Sequence, residues 1–412
     1  MKLLKLQQKM PKLFLSWISL LVIFLVPKIN LGKSVLEINY LEDVQISIIT
    51  CDPGEEIYSL FGHSALRINH QKGKQDIVVN WGIFEYDENQ LSFGYNFAKG
   101  RLNYYMGIQN TSDFLKEYFY FQRGVREQLL NLSASEKEEI LNFVDENYKP
   151  ENRNYKYEFF FDNCSTRVRE LLKTVFKSEL KWGSHSLENK KTFRDLIHQN
   201  LVSQPWLMLG IDLVLGKRID QNVSNENLMF LPEYLESIID STTISSNQIT
   251  KNIVAKKTVL IPSKNKSKTT TKSVSLYGWI ILVLTILGLF LQQEKIVNFW
   301  ATLLLSFTGV LGLVLCFMWI GTDHQATKDN LNILWANPFH LYMVWVIISK
   351  KWNKFSLVYI IIFGFILLAT ILFWFGMVQD FNDTIKPIII SLALIFFYYY
   401  RKNKIVIYNA NK

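Results

Sequence analysis

A cysteine at the start of an amphipathic segment is the first candidate for chemistry in this chain. Cys164 follows Asp162 and Asn163 and precedes apolar residues at helical spacing, among them Val168 and Leu171. Asp162 or Asn163 can cap such a helix, and the free N–H groups of its first turn stabilise a thiolate. The pattern predicts a nucleophilic cysteine. The alternative is a buried apolar thiol at a helix start.

A nucleophilic thiol also needs a base within hydrogen-bond reach, and a polar group that orients that base. His63, in FGHSALRIN, stands at or before the start of a strand predicted over 65–69. Strand alternation places His63 and Arg67 on one face. Asn80, on the next predicted strand, is the candidate orienting residue. His70 is the rival base, on the opposite face of the strand.

Composition points to a membrane protein. The 412 residues are 49% hydrophobic and 14% aromatic with net charge +9, and the apolar residues concentrate at the N-terminus and after residue 275. Positive charges stand mainly at the ends of apolar segments, which favours membrane topology over nucleic-acid binding. The three cysteines, Cys51, Cys164 and Cys316, form neither a disulfide scaffold nor a zinc cluster. A Cys51–Cys164 disulfide stays open, and no metal or cofactor is predicted.

Four segments are predicted along the chain. Residues 1–32 read as a signal peptide or signal anchor, with cleavage undecided. Residues 33–236 read as an exported α+β domain, with helices over 103–121, 133–146 and 193–202. Residues 237–274, rich in Ser, Thr and Lys, read as a solvated tether that cannot bury a core. Residues 275–404 read as a helical membrane domain.

The membrane domain is predicted to hold five spans. They lie at about 275–292, 296–320, 338–350, 355–378 and 386–400. The lysine and arginine clusters at the helix ends then fall on the side of the lysine-rich N-terminus. The positive-inside rule places the exported domain and the loops 321–337 and 379–385 outside the cytoplasm.

Two further segments carry candidate binding residues. The polar loop 321–338 contains Asp323, His324 and Asn330, which could position a lipid headgroup or an acceptor amine. The alternative is a loop that merely closes a helical hairpin. The aromatic segment Tyr104–Arg126 could line an acyl-chain groove or rest on the membrane, although such a stripe is more often core.

Several phrases resemble a known family. TCDPGEEIYSLFGHSALRI, VNWGIF, YEFFFDNCSTRVREL, GIDLVLG and FLPEYL resemble the Lnb family of Bacteroidota lipoprotein N-acyltransferases, as does DH…NLNILW…NP in the membrane part. The order of histidine before cysteine also resembles the circularly permuted NlpC-type papain-like fold. The resemblance implies a permuted papain-like α+β periplasmic domain with a small antiparallel sheet, followed by an all-α transmembrane domain.

The resemblance also implies a reaction. An acyl chain would move from a membrane phospholipid, through a Cys164 thioester, to the N-terminal amine of a diacylglyceryl-cysteine lipoprotein, at the bacterial inner membrane. Cys164 and His63 would be the catalytic pair, and Asn80, chosen from the strand pattern, is the candidate for the third member. The supporting or substrate-binding residues would be Asn163, Arg67, Asp323, His324 and Asn330. Two alternatives remain: a papain-like envelope hydrolase (cell-wall amidase, endopeptidase or lipid deacylase), and a non-catalytic membrane scaffold with an inert Cys164.

Overall fold

The chain folds as a mixed α/β body followed by a helical one. The computed structural model describes residues 41–84, 90–185, 190–246, 249–263 and 274–409. The predicted signal segment 1–32 and residues 264–273 of the predicted tether lie outside these ranges. An antiparallel sheet with helices, followed by a helical region, confirms the predicted fold class.

The strands form one large sheet and one small one. In chain order they are β1 Val44–Cys51, β2 His63–His70, β3 Gln75–Phe84, β4 Asn103–Asn110, β5 Val125–Leu130, β6 Asn154–Lys156, β7 Leu180–Lys181, β8 Thr243–Ser246, β9 Ile249–Asn252 and β10 Val254–Ile261. The large sheet has the order β10-β5-β1-β2-β3-β4-β6, and the small sheet has the order β7-β8-β9. Every strand pair is antiparallel.

Helices cover both faces of the large sheet. Those of the first body are α1 Gln90–Lys99, α2 Thr111–Tyr120, α3 Ala134–Tyr148, α4 Cys164–Phe176, α5 Phe193–Leu201, α6 Pro205–Val214, α7 Asn225–Leu228 and α8 Pro232–Asp240. On one face, Leu66 and Ile68 share a core with Val168 of α4. On the other, Ala65 packs with Phe114 of α2. The alternation predicted for β2 is therefore observed.

The prediction of one helix over 103–121 is wrong. Residues 103–110 form β4, and the helix α2 begins only at Thr111. The aromatic side chains explain the difference, because Tyr104 pairs across the sheet with Phe84 of β3 and with Tyr155 of β6. Aromatic cross-strand pairs of this kind stabilise a sheet, and here they outweigh the helical spacing of the apolar residues.

The prediction of a solvated tether over 237–274 is wrong for residues 243–261. β10 bonds to β5 and completes the edge of the large sheet, so the first domain does not end at residue 236. The lysines of this tract make ion pairs: Lys257 contacts Asp240 at 2.7 Å, and Lys251 contacts Glu136 at 2.7 Å. Lysine-rich strands are common at sheet edges because their charges oppose pairing with another chain.

The second body consists of five α-helices within the described residues. They are α9 Ser275–Phe290, α10 Glu294–Ile320, α11 His340–Ser349, α12 Lys354–Leu372 and α13 Ile385–Asn409. By length and composition, α10 and α12 can each cross a membrane, whereas α9 and α11 are shorter apolar helices. The five-span topology stays a prediction. Lys402 and Glu294 contact at 2.6 Å, which joins the end of α13 to the start of α10.

Candidate active site

A tight turn delivers His63 to the first position of β2. Gly62 has φ +81°, and a Cβ there would lie 2.7 Å from the carbonyl oxygen of Cys51. Only glycine adopts this conformation without strain and leaves room for that carbonyl. His63 is paired with Cys51 at the end of β1. The turn therefore fixes the imidazole at one end of the large sheet.

Local hydrogen bonds fix Cys164 at the start of α4. The Asn163 side chain caps the helix, its Oδ1 accepting from the backbone N–H groups of Ser165 and Thr166 at 2.9 Å each. Its Nδ2 donates to the carbonyls of Phe159 and Phe230. Asn163 therefore ties the cysteine helix to two neighbouring segments, and its supporting role in catalysis stays a prediction.

The strand and the helix meet through short polar contacts. Ser64 Oγ and Ser165 Oγ lie 2.9 Å apart, which holds the start of β2 against the first turn of α4. The His63 side chain hydrogen-bonds Cys164, and the backbone N–H of Ser64 donates to the Cys164 sulfur. The structure thus brings together the two residues that the sequence separates by about a hundred positions.

Asn80 completes the arrangement. Its Oδ1 lies 3.0 Å from His63 Nε2, so Nε2–H donates to the amide oxygen and Nδ1 is the ring nitrogen left for the thiol. The register of β2 and β3, in which Ala65 is opposite Asn80, places this amide beside the imidazole. Asn80 and Cys164 are 5% and 8% exposed, so the charges that form here are largely shielded from water.

The site favours a thiolate–imidazolium pair. Burial acts to raise the pKa of Cys164, but the charge of His63 and hydrogen bonds from His63, Ser64 and Ser165 outweigh it, and that pKa is lowered. Burial acts to lower the pKa of His63, but the Cys164 thiolate and the Asn80 hydrogen bond raise it above its ordinary value. A thiolate is the nucleophilic form of cysteine, so this arrangement suits attack on a carbonyl carbon.

The second cysteine of this domain has the opposite character. Cys51 is 1% exposed, and burial raises the pKa of its thiol to about 12. Cys51 and Cys164 are both free thiols in the structure. Within the described residues, no group of three or more His, Cys, Asp or Glu side chains is arranged as a metal site.

Arg67 lies away from the reactive pair. It makes a two-pronged ion pair with Asp76, at 2.8 and 2.6 Å, and a third bond to Glu127 at 3.0 Å. Alternation places Arg67 on the predicted face, but four residues along a strand separate it from His63 by about 13 Å. Arg67 therefore braces three strands of the sheet, and its contacts are with carboxylates of this chain.

Asp323 and His324 dock the membrane-domain loop on the first domain. The N–H of Asp323 donates to the Lys99 carbonyl, and its carboxylate accepts from Arg101 at 3.4 Å and Lys156 at 3.3 Å. His324 Nε2 donates to the Phe97 carbonyl at 3.0 Å. Gly100 has φ +69°, and a Cβ there would lie 3.2 Å from the His324 ring. These contacts hold the loop against the end of α1.

Asn330 anchors the same loop to α6. Its Nδ2 donates to the carbonyls of Leu213 and Val214 at 2.7 and 3.0 Å. Asn332, which is fully buried, donates to the carbonyls of Asp212 and Leu213 at 3.0 and 3.1 Å. The last carbonyls of a helix lack helical donors, so the loop satisfies the C-terminus of α6.

A buried charge cluster extends this junction. Asp212 accepts from Arg194 at 2.9 Å, from His198 at 2.8 Å and from Asn382 at 2.9 Å. Asn382 belongs to the loop between α12 and α13, so both this loop and the loop between α10 and α11 contact the first domain. Asn332 lies in the polar loop 321–338 that the sequence marked as a candidate, whereas the sequence did not single out Asp212 or Arg194. The phrases NLNILW and GIDLVLG contain the two partners, but nothing in the sequence pairs them.

Two family models match the chain. The Lnb N-terminal periplasmic domain matches residues 33–199, and the Lnb transmembrane domain matches residues 264–405. No curated protein and no solved structure matches it. The two matched ranges follow one another in order and cover most of the chain, which confirms the family predicted from its motifs. The protein is a membrane protein with a periplasmic part, and it belongs to the Lnb family.

Proposed function

We propose that this protein is a membrane lipoprotein N-acyltransferase that works through a thioester on Cys164. The observation that carries the proposal is the hydrogen-bonded series Cys164–His63–Asn80 in a periplasmic domain joined to a transmembrane domain. A thiolate, a base and an orienting amide are the parts that acyl transfer through cysteine requires. The phospholipid donor and the lipoprotein acceptor follow from the family resemblance.

The first half-reaction loads the enzyme. The Cys164 thiolate attacks an ester carbonyl carbon of the phospholipid, and the carbon–oxygen ester bond breaks. The His63 imidazolium gives its proton to the departing lysophospholipid oxygen. The N–H of Cys164 is at the first helical position of α4, where it can donate to the tetrahedral oxyanion. The products are a Cys164 thioester and a lysophospholipid.

The second half-reaction transfers the acyl chain from the Cys164 thioester to the lipoprotein. The free amine of a diacylglyceryl-cysteine lipoprotein attacks the thioester carbonyl, and neutral His63 takes the proton that this amine loses. The carbon–sulfur bond breaks, an amide forms and the Cys164 thiolate returns. Both substrates are lipids, so a catalytic domain held at the membrane by contacts such as Asn330 to α6 raises their effective concentration at the thiol.

The test is the acylation state of a lipoprotein in cells that lack any other lipoprotein N-acyltransferase. Wild type is expected to add one acyl chain to the N-terminal lipopeptide, measured by mass spectrometry. Cys164→Ala and His63→Ala are expected to leave it diacylated. Cys51→Ala is the matched control, since it removes the other buried thiol of the same domain.

Each contrary outcome favours a different hypothesis. If wild type and Cys164→Ala both reach the membrane and both leave diacylated lipoprotein, the transferase proposal fails, and hydrolysis by the same site becomes the hypothesis to test. If Cys164→Ala still adds the chain, the reaction stands and the nucleophile is wrong.

A further inference from the structure

We propose that Arg123, with the apolar side chains around it, forms a subsite for the phosphate of the donor glycerophospholipid. The proposal rests on the function proposed above and adds a binding site to it. Arg123 lies in the turn between α2 and β5, next to Gln122 at φ +56°. Its backbone N–H donates to the Tyr118 carbonyl at 2.9 Å, which closes the turn.

The Arg123 guanidinium is held in place but not fully paired. Its Nε donates to the Asp52 carbonyl at 2.8 Å, and its plane lies over the Tyr118 ring, 4.5 Å from the centroid. Among the described residues, its Nη2 is buried and has no hydrogen-bond partner. A buried donor without an acceptor is costly, and a guanidinium binds phosphate oxygens through such donors.

The nearby carboxylates of Asp52 and Glu117 do not accept a hydrogen bond from Arg123 Nη2. Asp52 is already bonded to Arg126 at 2.5 Å and to Ser263 at 2.5 Å. Glu117 lies within electrostatic range of Arg123, and burial raises the pKa of its carboxyl, which weakens its competition for the guanidinium. The Asp52 and Glu117 carboxylates therefore leave Nη2 unpaired, on a side chain that is only half-buried as a whole.

The sheet register places Arg123 near the reactive pair. Cys51 is opposite His63 on one side and opposite Val125 on the other. Two strand spacings separate His63 from Val125, about 10 Å, and Arg123 comes two residues earlier on the same strand end. The phosphate and the ester carbonyl of one glycerophospholipid are separated only by the glycerol backbone. An anion on Arg123 would therefore bring that carbonyl toward Cys164.

Large apolar side chains surround this end of the domain. Ile57, Tyr58, Phe119 and Tyr120 are 66%, 59%, 74% and 75% exposed, which is unusual for four such neighbours of one turn. The 54–59 turn lies beside Arg123, because a Cβ at Gly54 would sit 3.3 Å from the arginine side chain. These four residues, from the two chain segments that adjoin Arg123, are called the apolar rim.

The rim continues to the start of the membrane domain. Gln204 donates to the Glu55 carbonyl at 3.4 Å, and Trp206 packs on Tyr277 in the first turn of α9, with ring centroids 5.0 Å apart. Tryptophan and tyrosine concentrate where a membrane meets water. An apolar rim joined to the start of the membrane domain would contact lipid. The donor that fits it is a diacyl lipid whose phosphodiester headgroup carries a negative charge.

The test is lipid retention by the full-length protein in native mass spectrometry, in a Cys164→Ala background that cannot turn the lipid over. The probes are dihexanoyl phosphatidylglycerol and dihexanoylglycerol, which differ by the anionic phosphoglycerol headgroup. Arg123→Gln is expected to weaken retention of the phospholipid about 10-fold or more, because a hydrogen bond to a charged group contributes enough binding free energy for a change of this size. Retention of dihexanoylglycerol is expected to stay unchanged.

Two variants complete the design. Arg123→Lys keeps the charge and is expected to retain more phospholipid than Arg123→Gln. Lys116→Gln removes a cation from the exposed surface of α2 and is expected to change nothing. Equal loss of both lipids in Arg123→Gln, or loss of neither, overturns the subsite. The measurement does not depend on transfer, so retention that requires Arg123 stands even if the lipoprotein assay shows no acyl transfer.

Discussion

At the scale of single residues, the two buried cysteines of the periplasmic domain should differ sharply in reactivity. Cys164 hydrogen-bonds His63, and its pKa is lowered, whereas burial raises the pKa of Cys51 to about 12. We expect iodoacetamide to alkylate Cys164 already at neutral pH and to leave Cys51 unmodified there. Peptide mass spectrometry of the full-length protein across a pH series measures both rates.

The direction of the pH dependence follows from the pair. The thiolate exists above the lowered pKa of Cys164, and the imidazolium exists below the raised pKa of His63, so the ion pair fills the window between them. In Asn80→Ala the imidazolium loses its acceptor, and the onset of Cys164 alkylation should move to higher pH. An onset at the pH of an ordinary thiol in wild type would contradict the ion pair.

The sequence predicted that Cys164 and His63 lie together better than it predicted their surroundings. Cys164 and His63 stand in short phrases with clear local signals, a cap before a helix and a turn before a strand. Asn80 depended on strand register, which alternation alone does not fix. Arg67 shares the face of His63, but a face says nothing about distance along the strand. Arg123 stands in the aromatic segment Tyr104–Arg126, but only the structure shows that its Nη2 has no partner among the described residues.

At the scale of elements, the cap of α4 should control both stability and reactivity. Asn163 uses its Oδ1 on two helix N–H groups and its Nδ2 on two buried carbonyls. Asn163→Ala is expected to destabilise the domain by about 1–3 kcal/mol, because it removes the cap and leaves buried carbonyls unpaired. Thermal unfolding followed by tryptophan fluorescence measures the loss.

A matched variant separates the effect of the α4 cap on the position of the Cys164 thiol from its effect on the stability of the domain. Ser133→Ala removes the equivalent capping box of α3, away from the thiol, and is expected to cost about 1 kcal/mol. Only Asn163→Ala should also slow the alkylation of Cys164, since only its cap positions the thiol. Equal alkylation in both variants would mean that the cap does not hold the nucleophile.

The two misread elements share a physical cause. Residues 103–110 have helical apolar spacing, yet they form β4 because Tyr104 finds partners on both neighbouring strands. Residues 254–261 look like a charged tether, yet they form β10 because β5 offers an open edge. In both cases the deciding contacts are with strands distant in sequence, so no local window contains the information.

At the scale of the whole molecule, the loop between α10 and α11 and the loop between α12 and α13 hold the periplasmic domain against the membrane domain. Asn330 and Asn332 satisfy the last carbonyls of α6, and Asn382 reaches Asp212 in the same helix. These bonds join surfaces more than a hundred residues apart along the chain. In the proposed reaction both substrates are lipids, and these contacts would then hold Cys164 at a fixed height above the membrane.

The contacts between these two loops and α6 give the last prediction. Asn332 is fully buried, donates to two α6 carbonyls and accepts from Trp335 at 2.9 Å. In Asn332→Ala these groups lose their partners, so we expect faster hydrogen exchange at the C-terminal end of α6 and reduced lipoprotein acylation. Cys164 alkylation should stay at the wild-type rate, because the reactive pair lies wholly within the first domain. Lys328→Ala, whose amine bonds Gln325 within the loop, is the control. A loss of alkylation together with acylation would show that the junction shapes the site itself and does not merely hold it at the membrane.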